Sequence, residues 1–297
     1  MSAIPVQQTV KPDKIRLLQK TTSPFRPKII SLVILFAVLF ITSWHNTEMS
    51  FSSLWSGIGS MRDYLAGNPD IAGSSFFTPT LNPHDIRVYG LAMLETVEMA
   101  FCALVLSVLL AVPMSLCASR NIMLILFPGA GMTVKIIRGG IYYGTVLVAN
   151  VFRSINEIVW ALLFVSAVGL GPMAGILALA VHTSGVLSKL LAEGNEAIDP
   201  GPVEALSATG AGFLKIISFA VVPQTMPHFI SMTLYRFESD VRSASILGFV
   251  GAGGIGFYLF DKVRAFENGD VTTIIIIIVI AVWLIDKCSA IIRKKFI

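Results

Sequence analysis

Charged side chains are scarce in this sequence. Asp, Glu, Lys and Arg make up 13% of its 297 residues, whereas soluble domains carry about 25%. Hydrophobic residues make up 55%, and the mean hydropathy is +0.77. A soluble core of this size has no way to hide that much apolar surface, so lipid must solvate much of the chain. Cysteine is also rare. Cys102, Cys117 and Cys288 are odd in number, lie in or beside apolar stretches and form no C-x-x-C pair. Neither a disulfide framework nor a zinc site is indicated on those grounds. No G-x-x-x-x-G-K-[ST] phosphate loop occurs, and neither H-E-x-x-H nor G-x-S-x-G nor a clustered His/Asp set is present. ATP chemistry within the chain and the common membrane-enzyme motifs are therefore not expected. The glycine-rich run Gly248–Gly256 is not surrounded by a soluble βαβ unit, which argues against a dinucleotide fingerprint. The net charge of +4 is no nucleic-acid footprint, because the basic residues flank apolar segments, the topological pattern of membrane proteins.

The chain reads as an all-α membrane protein with about six transmembrane helices. Residues 1–28 form a basic tail in which Lys11, Lys14, Arg16, Lys20, Arg26 and Lys28 oppose only Asp13. A first transmembrane helix is expected at 29–45, with Arg26 and Lys28 reaching back to the interface. A cleaved signal peptide fits less well, because the basic region is long and no A-x-A site follows Trp44. Residues 46–87, with Gly67-Asn68-Pro69 and Asn82-Pro83, read as a polar periplasmic loop that includes at most a short surface helix. A larger membrane domain is expected at 88–292. Its spans fall near 88–118, 145–169, 173–191, 216–239 and 271–285. The isoleucine run Ile274–Ile278 would suggest a strand in water, but a bilayer favours a helix. Residues 119–144, with Arg120, Lys135 and Arg138, read as a basic loop with an amphipathic part. The basic tail and Arg293, Lys294 and Lys295 place both termini in the cytoplasm, which six spans satisfy. The loops 119–144 and 192–215 then also lie inside, and the protein is a multi-pass inner-membrane protein.

The functional signal lies at Glu204–Pro223, EALSATGAGFLKIISFAVVP, in a loop between two spans. Pro202 suits the start of a short helix, Glu204 complements the dipole of its first turn, and Gly210 can end it in a left-handed conformation. Ala205 and Ala208 leave one face small. Such a helix is suited to a partner's groove, the alternative being an ordinary loop. The spacing resembles the EAA loop of ABC importer permeases, with Glu204, Ala205, Gly210 and Pro223 in register. Leu206 stands in place of the usual second Ala, and Ala220 in place of Ile. Residues 152–172, 196–211 and 235–256 resemble the phosphonate-importer branch of this family, and the similarity runs from about Leu91 to Asp286. Asn156 stands where the family usually has Pro, which removes the usual reason for a sharp kink.

The resemblance implies a type I ABC importer transmembrane domain that forms a translocation pathway for phosphonate. Its implied partners are two cytoplasmic ATPase subunits, a periplasmic phosphonate-binding protein and a second copy of the chain. ATP and Mg would be bound by the partner ATPase and not by this chain. Glu204, Ala205 and Gly210 would form the ATPase-coupling helix in the loop 192–215. Phosphate, phosphite or another small anion is the alternative cargo. A stand-alone secondary transporter is the alternative of another class, although no convincing internal repeat is found.

Ionisable residues inside spans are expensive and call for an account. Arg153 and Glu157, Arg236 and Asp240, and Glu238 and Arg242 are each four apart and can pair on one helix. They are read either as structural pairs or, for Arg153, Arg236 and Arg242, as positive charge on the pathway, since an arginine fork suits phosphonate oxygens. Glu95 and Glu98 are assigned no substrate role. His182, beside Thr183 and Ser184, reads as a hydrogen-bonded packing residue rather than a proton relay. Gly251, Gly253 and Gly254 read as part of a gate or as plain close packing.

Overall fold

A computed structural model describes residues 27–47, 49–67 and 73–296. The basic tail through Arg26, the side chain of Lys28 and the turn residues Asn68 and Pro69 lie outside the described residues. The chain divides into two compact units, residues 1–62 and 63–297. Among the described residues every regular element is helical.

In the first unit, helix α1 spans Pro27–Asn46. Leu32, Phe36, Leu39 and Ile41 are all exposed although they lie on different faces. A helix that is apolar and uncovered all round requires lipid. A helix long and apolar enough to cross a membrane covers the predicted first span. Helix α2, Phe51–Ala66, occupies part of the expected loop and leaves Phe51 and Trp55 exposed.

The second unit begins its bundle with α3, Pro83–Cys117. Pro83 sits in the first turn, and Asn82 Oδ1 accepts the His84 N–H at 3.2 Å. That cap starts the helix before residue 88, where hydropathy alone places it. A short α4, Arg120–Leu126, leads to α5, Met132–Ser154. The expected straight span at 145–169 is instead broken. After α5 the chain turns by 89° into α6, Glu157–Val168. Asn156 causes the break without proline: its side chain accepts the Ile158 N–H at 3.0 Å and caps α6. Ile155 (φ −91°, ψ 125°) and Asn156 (φ −62°, ψ 146°) are both extended. These are the angles a residue before proline and a proline itself would adopt. The sequence-based expectation of no sharp kink at Asn156 is thus corrected.

Helix α7, Pro172–Glu196, is the centre of the bundle and packs on α3, α5, α6 and the later α10. Its contact surface with α3 is made of small residues: Thr96, Ala100, Ala103, Ser107 and Ala111 from α3, and Ala174, Ala178, Ser188 and Ala192 from α7, all buried. Without a hydrophobic drive between helices in lipid, close backbone packing of this kind holds them together. At Gly185 an added Cβ would lie 2.7 Å from the Arg153 backbone nitrogen, so α5 crosses α7 there at closest approach. After the short α8, Pro200–Ala208, the chain forms α9, Phe213–Ile216. It then widens into one π turn, Ile217–Val221, and continues as α10, Val222–Leu247. Pro223 supplies no N–H to the carbonyls of this turn, and its wider spacing accommodates the missing donor. A 3₁₀ turn at Gly248–Val250 leads to α11, Ile255–Arg264. The last helix, α12, is Asn268–Phe296. The isoleucine run lies inside it, as a bilayer requires.

One end of this unit gathers the α3–α4 turn, the end of α7 and α8. Ser119 Oγ reaches the Ala192 carbonyl at 3.4 Å there. The other end gathers residues 73–89 and the start of α12, with Tyr89 Oη donating to Asp270 Oδ2 at 3.1 Å. Lys262 at that end pairs with Glu267 and with Asp270. Its hydrogen bond to Glu267, joined by the one to Asp270, holds its ammonium above the usual lysine range.

Candidate functional site: coupling helix, buried charges and glycine joint

Helix α8 is short because both of its ends are fixed locally. Asp199 caps the start, its Oδ1 accepting the Gly201 N–H at 2.9 Å, and Pro200 fills the first position. The end closes at Gly210, φ +74°, where the Gly210 N–H donates to Ser207 O at 3.0 Å and the Ala211 N–H to Leu206 O at 3.3 Å. The helix thus starts at Pro200, two residues earlier than Pro202. Glu204 falls after the first turn, which corrects the expected first-turn placement. Glu204 and Ala205 are exposed, while Val203 and Leu206 are half-buried. Leu206 therefore turns toward the bundle, and the departure from the usual alanine leaves the outward face small. Among the described residues Glu204 makes no ion pair.

Gln224 ties this helix to α10. Its Oε1 accepts the Asp199 N–H at 2.9 Å. Its amide nitrogen donates to the carbonyls of Ala220 at 2.8 Å and Asp199 at 3.4 Å. Ala220, standing where isoleucine is usual, is fully buried in the π turn. Sequence reasoning passed over Gln224, whose position just after Pro223 was the only signal available.

The second group centres on two buried carboxylates, Asp240 and Glu238, with Arg242 and Asp286 exposed at its edge. Asp240 on α10 is 0% exposed. Its Oδ1 accepts from Thr183 Oγ1 at 2.7 Å and from an Arg236 Nη at 3.1 Å. The same Arg236 nitrogen donates to Thr183 Oγ1 at 3.0 Å. Arg236 Nε and Asp240 Oδ2 are buried without hydrogen-bond partners. The predicted Arg236–Asp240 pair thus exists and bridges α7 and α10 through Thr183. The other two predicted pairs do not form. Arg153 ends α5 and its Nε donates to Asn150 Oδ1 at 3.0 Å. Glu157 lies beyond the break, so the two are not on one helix. Glu157 Oε1 instead accepts from Ser243 Oγ at 2.8 Å, and its Oε2 lies 3.6 Å from His182 Nε2. Glu238 pairs with Arg293, and Arg242 with Asp286 at 3.3 Å. Helix α12 brings an opposite charge to each, so two bonds between helices replace one within α10.

His182 fits its packing role. Its Nδ1 lies 2.9 Å from the Ile155 carbonyl. A carbonyl only accepts, so Nδ1 carries the ring proton and donates. The bond holds the exposed carbonyl at the α5–α6 break.

The third group is the glycine joint. The letters of Gly251-Ala252-Gly253-Gly254-Ile255-Gly256 fit G-x-G-x-x-G, but a membrane helix and a 3₁₀ turn precede them, not a strand. Gly251, Gly253 and Gly254 have φ of 84°, 80° and 71°. Gly251 O accepts the Gly171 N–H at 2.9 Å, and the Ile255 N–H donates to Thr96 Oγ1 at 2.8 Å. A Cβ on Gly254 would sit 2.6 Å from Thr96 Oγ1, and one on Gly251 would sit 2.3 Å from Leu170 Cδ2. The joint locks α3, the α6–α7 turn and α11 into one place.

Residues 141–296 match the model of the binding-protein-dependent transport system inner membrane component family. The chain belongs to that family. The matched stretch holds every site residue predicted above, from Arg153 to Gly254. The phosphite transport system permease protein PtxC of Stutzerimonas stutzeri is 30% identical over 269 residues, 89% of this chain and 88% of that one. A protein of Escherichia coli (strain K12) named for a cryptic phosphonate transport system, PhnE2, is 52% identical over 122 residues, 41% of this chain and all of that one. Among solved structures, the inward-facing MetNI methionine ABC transporter aligns with TM-score 0.62 at 21% identity, covering 73% of this chain and 100% of that one. That likeness concerns the fold. The chain is a permease subunit of an ABC importer, and family membership sets aside the stand-alone carrier. For a permease of this family, the exposed face of α8 and the buried charges of α10 are separate devices, joined through Gln224 and the α10 backbone.

Proposed function

We propose that this permease carries phosphonate inward, with α8 as its docking element for a separate ATPase. The observation that carries the substrate is the 52% identity to the protein named for phosphonate transport. The coupling role is supported by the geometry of α8: a capped helix between two spans with Glu204 and Ala205 exposed and Leu206 turned inward. Ala205 leaves room for a groove wall, Glu204 supplies a charge for a basic partner residue, and Gly210 ends the helix short. The partner ATPase binds ATP and Mg. A periplasmic phosphonate-binding protein delivers the cargo, and a second copy of the chain completes the pathway. Both termini lie in the cytoplasm, so α8 faces the ATPase and residues 73–89 face the periplasm.

Arg236 is the pathway residue we favour, because its Nε is left without a partner beside a carboxylate that only partly neutralises it. Arg153 and Arg242 flank it at the α5–α6 break and on α10. The glycine joint at Gly251, Gly253 and Gly254 forms part of the gate. Arg236→Gln should lower uptake per inserted molecule, the amount inserted being measured in parallel because Asp240 loses its counter-charge. Unchanged uptake and affinity would remove Arg236 from the pathway.

Phosphite is the second reading, favoured by the 30% identity to PtxC across most of both chains. Uptake of a radiolabelled aminoalkylphosphonate, phosphite and phosphate in phosphate-starved cells, with and without the gene, separates the readings. Loss of phosphonate uptake alone supports the first. Loss of phosphite or phosphate uptake alone moves the cargo to that anion.

A further inference from the structure

The basic segment after α3 folds into a pocket. Arg120 opens α4, and Lys135, Arg138 and Tyr142 follow at helical spacing on α5, so the three project from one face. Together they line a cavity of about 300 Å³ with Met123 buried beneath. Arg120 is held in place by Tyr142: its Nε donates to the Tyr142 hydroxyl oxygen at 3.2 Å, and its guanidinium carbon lies 5.3 Å from the ring centre. The hydroxyl accepts that bond and keeps its own proton to donate. The nearest carboxylate, Glu196, is engaged by the Arg120 backbone N–H at 2.8 Å. Lys135 and Arg138 have no carboxylate within ion-pair distance among the described residues.

The surroundings are apolar. Leu124, Met132, Ile136 and Ile137 are exposed beside the cations. The pocket also lies directly after the end of α3, at the level where a span leaves the hydrocarbon. Cations that converge on a cavity, next to side chains that need lipid, match the headgroup region of an anionic leaflet. We propose that Arg120, Lys135 and Arg138 form a binding site for a phosphorus oxyanion, held as the headgroup phosphate of an anionic phospholipid. Arginine and lysine donors and the Tyr142 proton suit its oxygens. The apolar flank suits its acyl chains. Its three cations lie before the stretch matched to the family, which begins at residue 141 and includes Tyr142, and the site does not depend on the cargo of the permease.

The full chain purified in detergent can be titrated with dioleoyl phosphatidylglycerol or dioleoyl phosphatidylcholine and read by native mass spectrometry. Inorganic phosphate can be followed in parallel by phosphorus NMR line broadening. Lys135→Gln with Arg138→Gln removes two cations from the surface of α5. The expected result is a roughly tenfold or greater rise in the phosphatidylglycerol needed to fill one site, with phosphatidylcholine unaffected. Lys135→Arg with Arg138→Lys keeps the charge and should keep the binding, which guards against a folding defect. If the Gln pair instead abolishes phosphate broadening and leaves lipid retention unchanged, the oxyanion is a soluble one. If the Gln pair alters neither, no such site exists.

Discussion

Helix α8 and the buried charges of α10 are both polar elements in an apolar protein, yet they are built by opposite rules. Each end of α8 is fixed by residues within three positions of it, Asp199 at the start and Gly210 at the end. Its outward residues Glu204 and Ala205 are exposed, and Glu204 makes no ion pair among the described residues. Of the α10 charges, Arg236 and Asp240 pair four residues apart and share Thr183 from α7, while Glu238 and Arg242 take Arg293 and Asp286 from α12. The first element is prepared for something outside the chain. The second is paired within the chain, apart from Arg236 Nε and Asp240 Oδ2.

The contrast can be broken first at Glu204. Glu204→Lys reverses the exposed charge of α8 and alters no bond within the chain. Uptake in cells should fall by at least tenfold while the amount of inserted protein stays the same. Normal uptake would make α8 an ordinary loop. At Asp240 the opposite pattern is expected. Asp240→Ala leaves Arg236 buried without its counter-charge, which costs about 3–5 kcal/mol. Thermal denaturation in detergent should therefore show a large loss of stability. The double change Arg236→Met with Asp240→Leu removes both charges and should recover most of it. Uptake by that double variant sharpens the comparison. Recovery of uptake along with stability would make the pair purely structural, whereas a stable but inactive protein would place Arg236 on the pathway.

What the sequence disclosed follows the same division. The apolar runs located the helices, because a span of about 20 apolar residues has few other readings. The EAA-like spacing located α8 and Gly210, because caps and turns are written in neighbouring residues. The i, i+4 rule found the Arg236–Asp240 pair and proposed two that do not form. It tests only whether two side chains on one helix can meet, and is silent on α12, which supplies Asp286 and Arg293. It also assumed that Arg153 and Glu157 share a helix. The basic residues Arg120, Lys135 and Arg138 were visible as a charged stretch, but their convergence required the turn between α4 and α5.

A smaller effect is expected at Gly210, where an added Cβ would meet nothing within 4 Å. The cost of Gly210→Val comes from the left-handed backbone and amounts to about 1–2 kcal/mol. It should appear as a modest loss of stability in the purified chain, and as a larger loss of coupled uptake if α8 must dock. An active, fully coupled complex from that variant would mean the docked helix tolerates a different end.

The smallest effect tests the α5–α6 break. Asn156 has φ −62° and follows an extended Ile155, so the backbone there already suits proline. Asn156→Pro removes only the bond to the Ile158 N–H and gains stiffness in the unfolded chain, two terms of opposite sign. Asn156→Ala loses the same cap and gains nothing, at about 1 kcal/mol. Thermal denaturation should thus rank the proline variant at or above the alanine variant, with uptake preserved in the former. The reverse ranking would mean that the extended backbone pair held by His182 at the 89° turn does not suit proline.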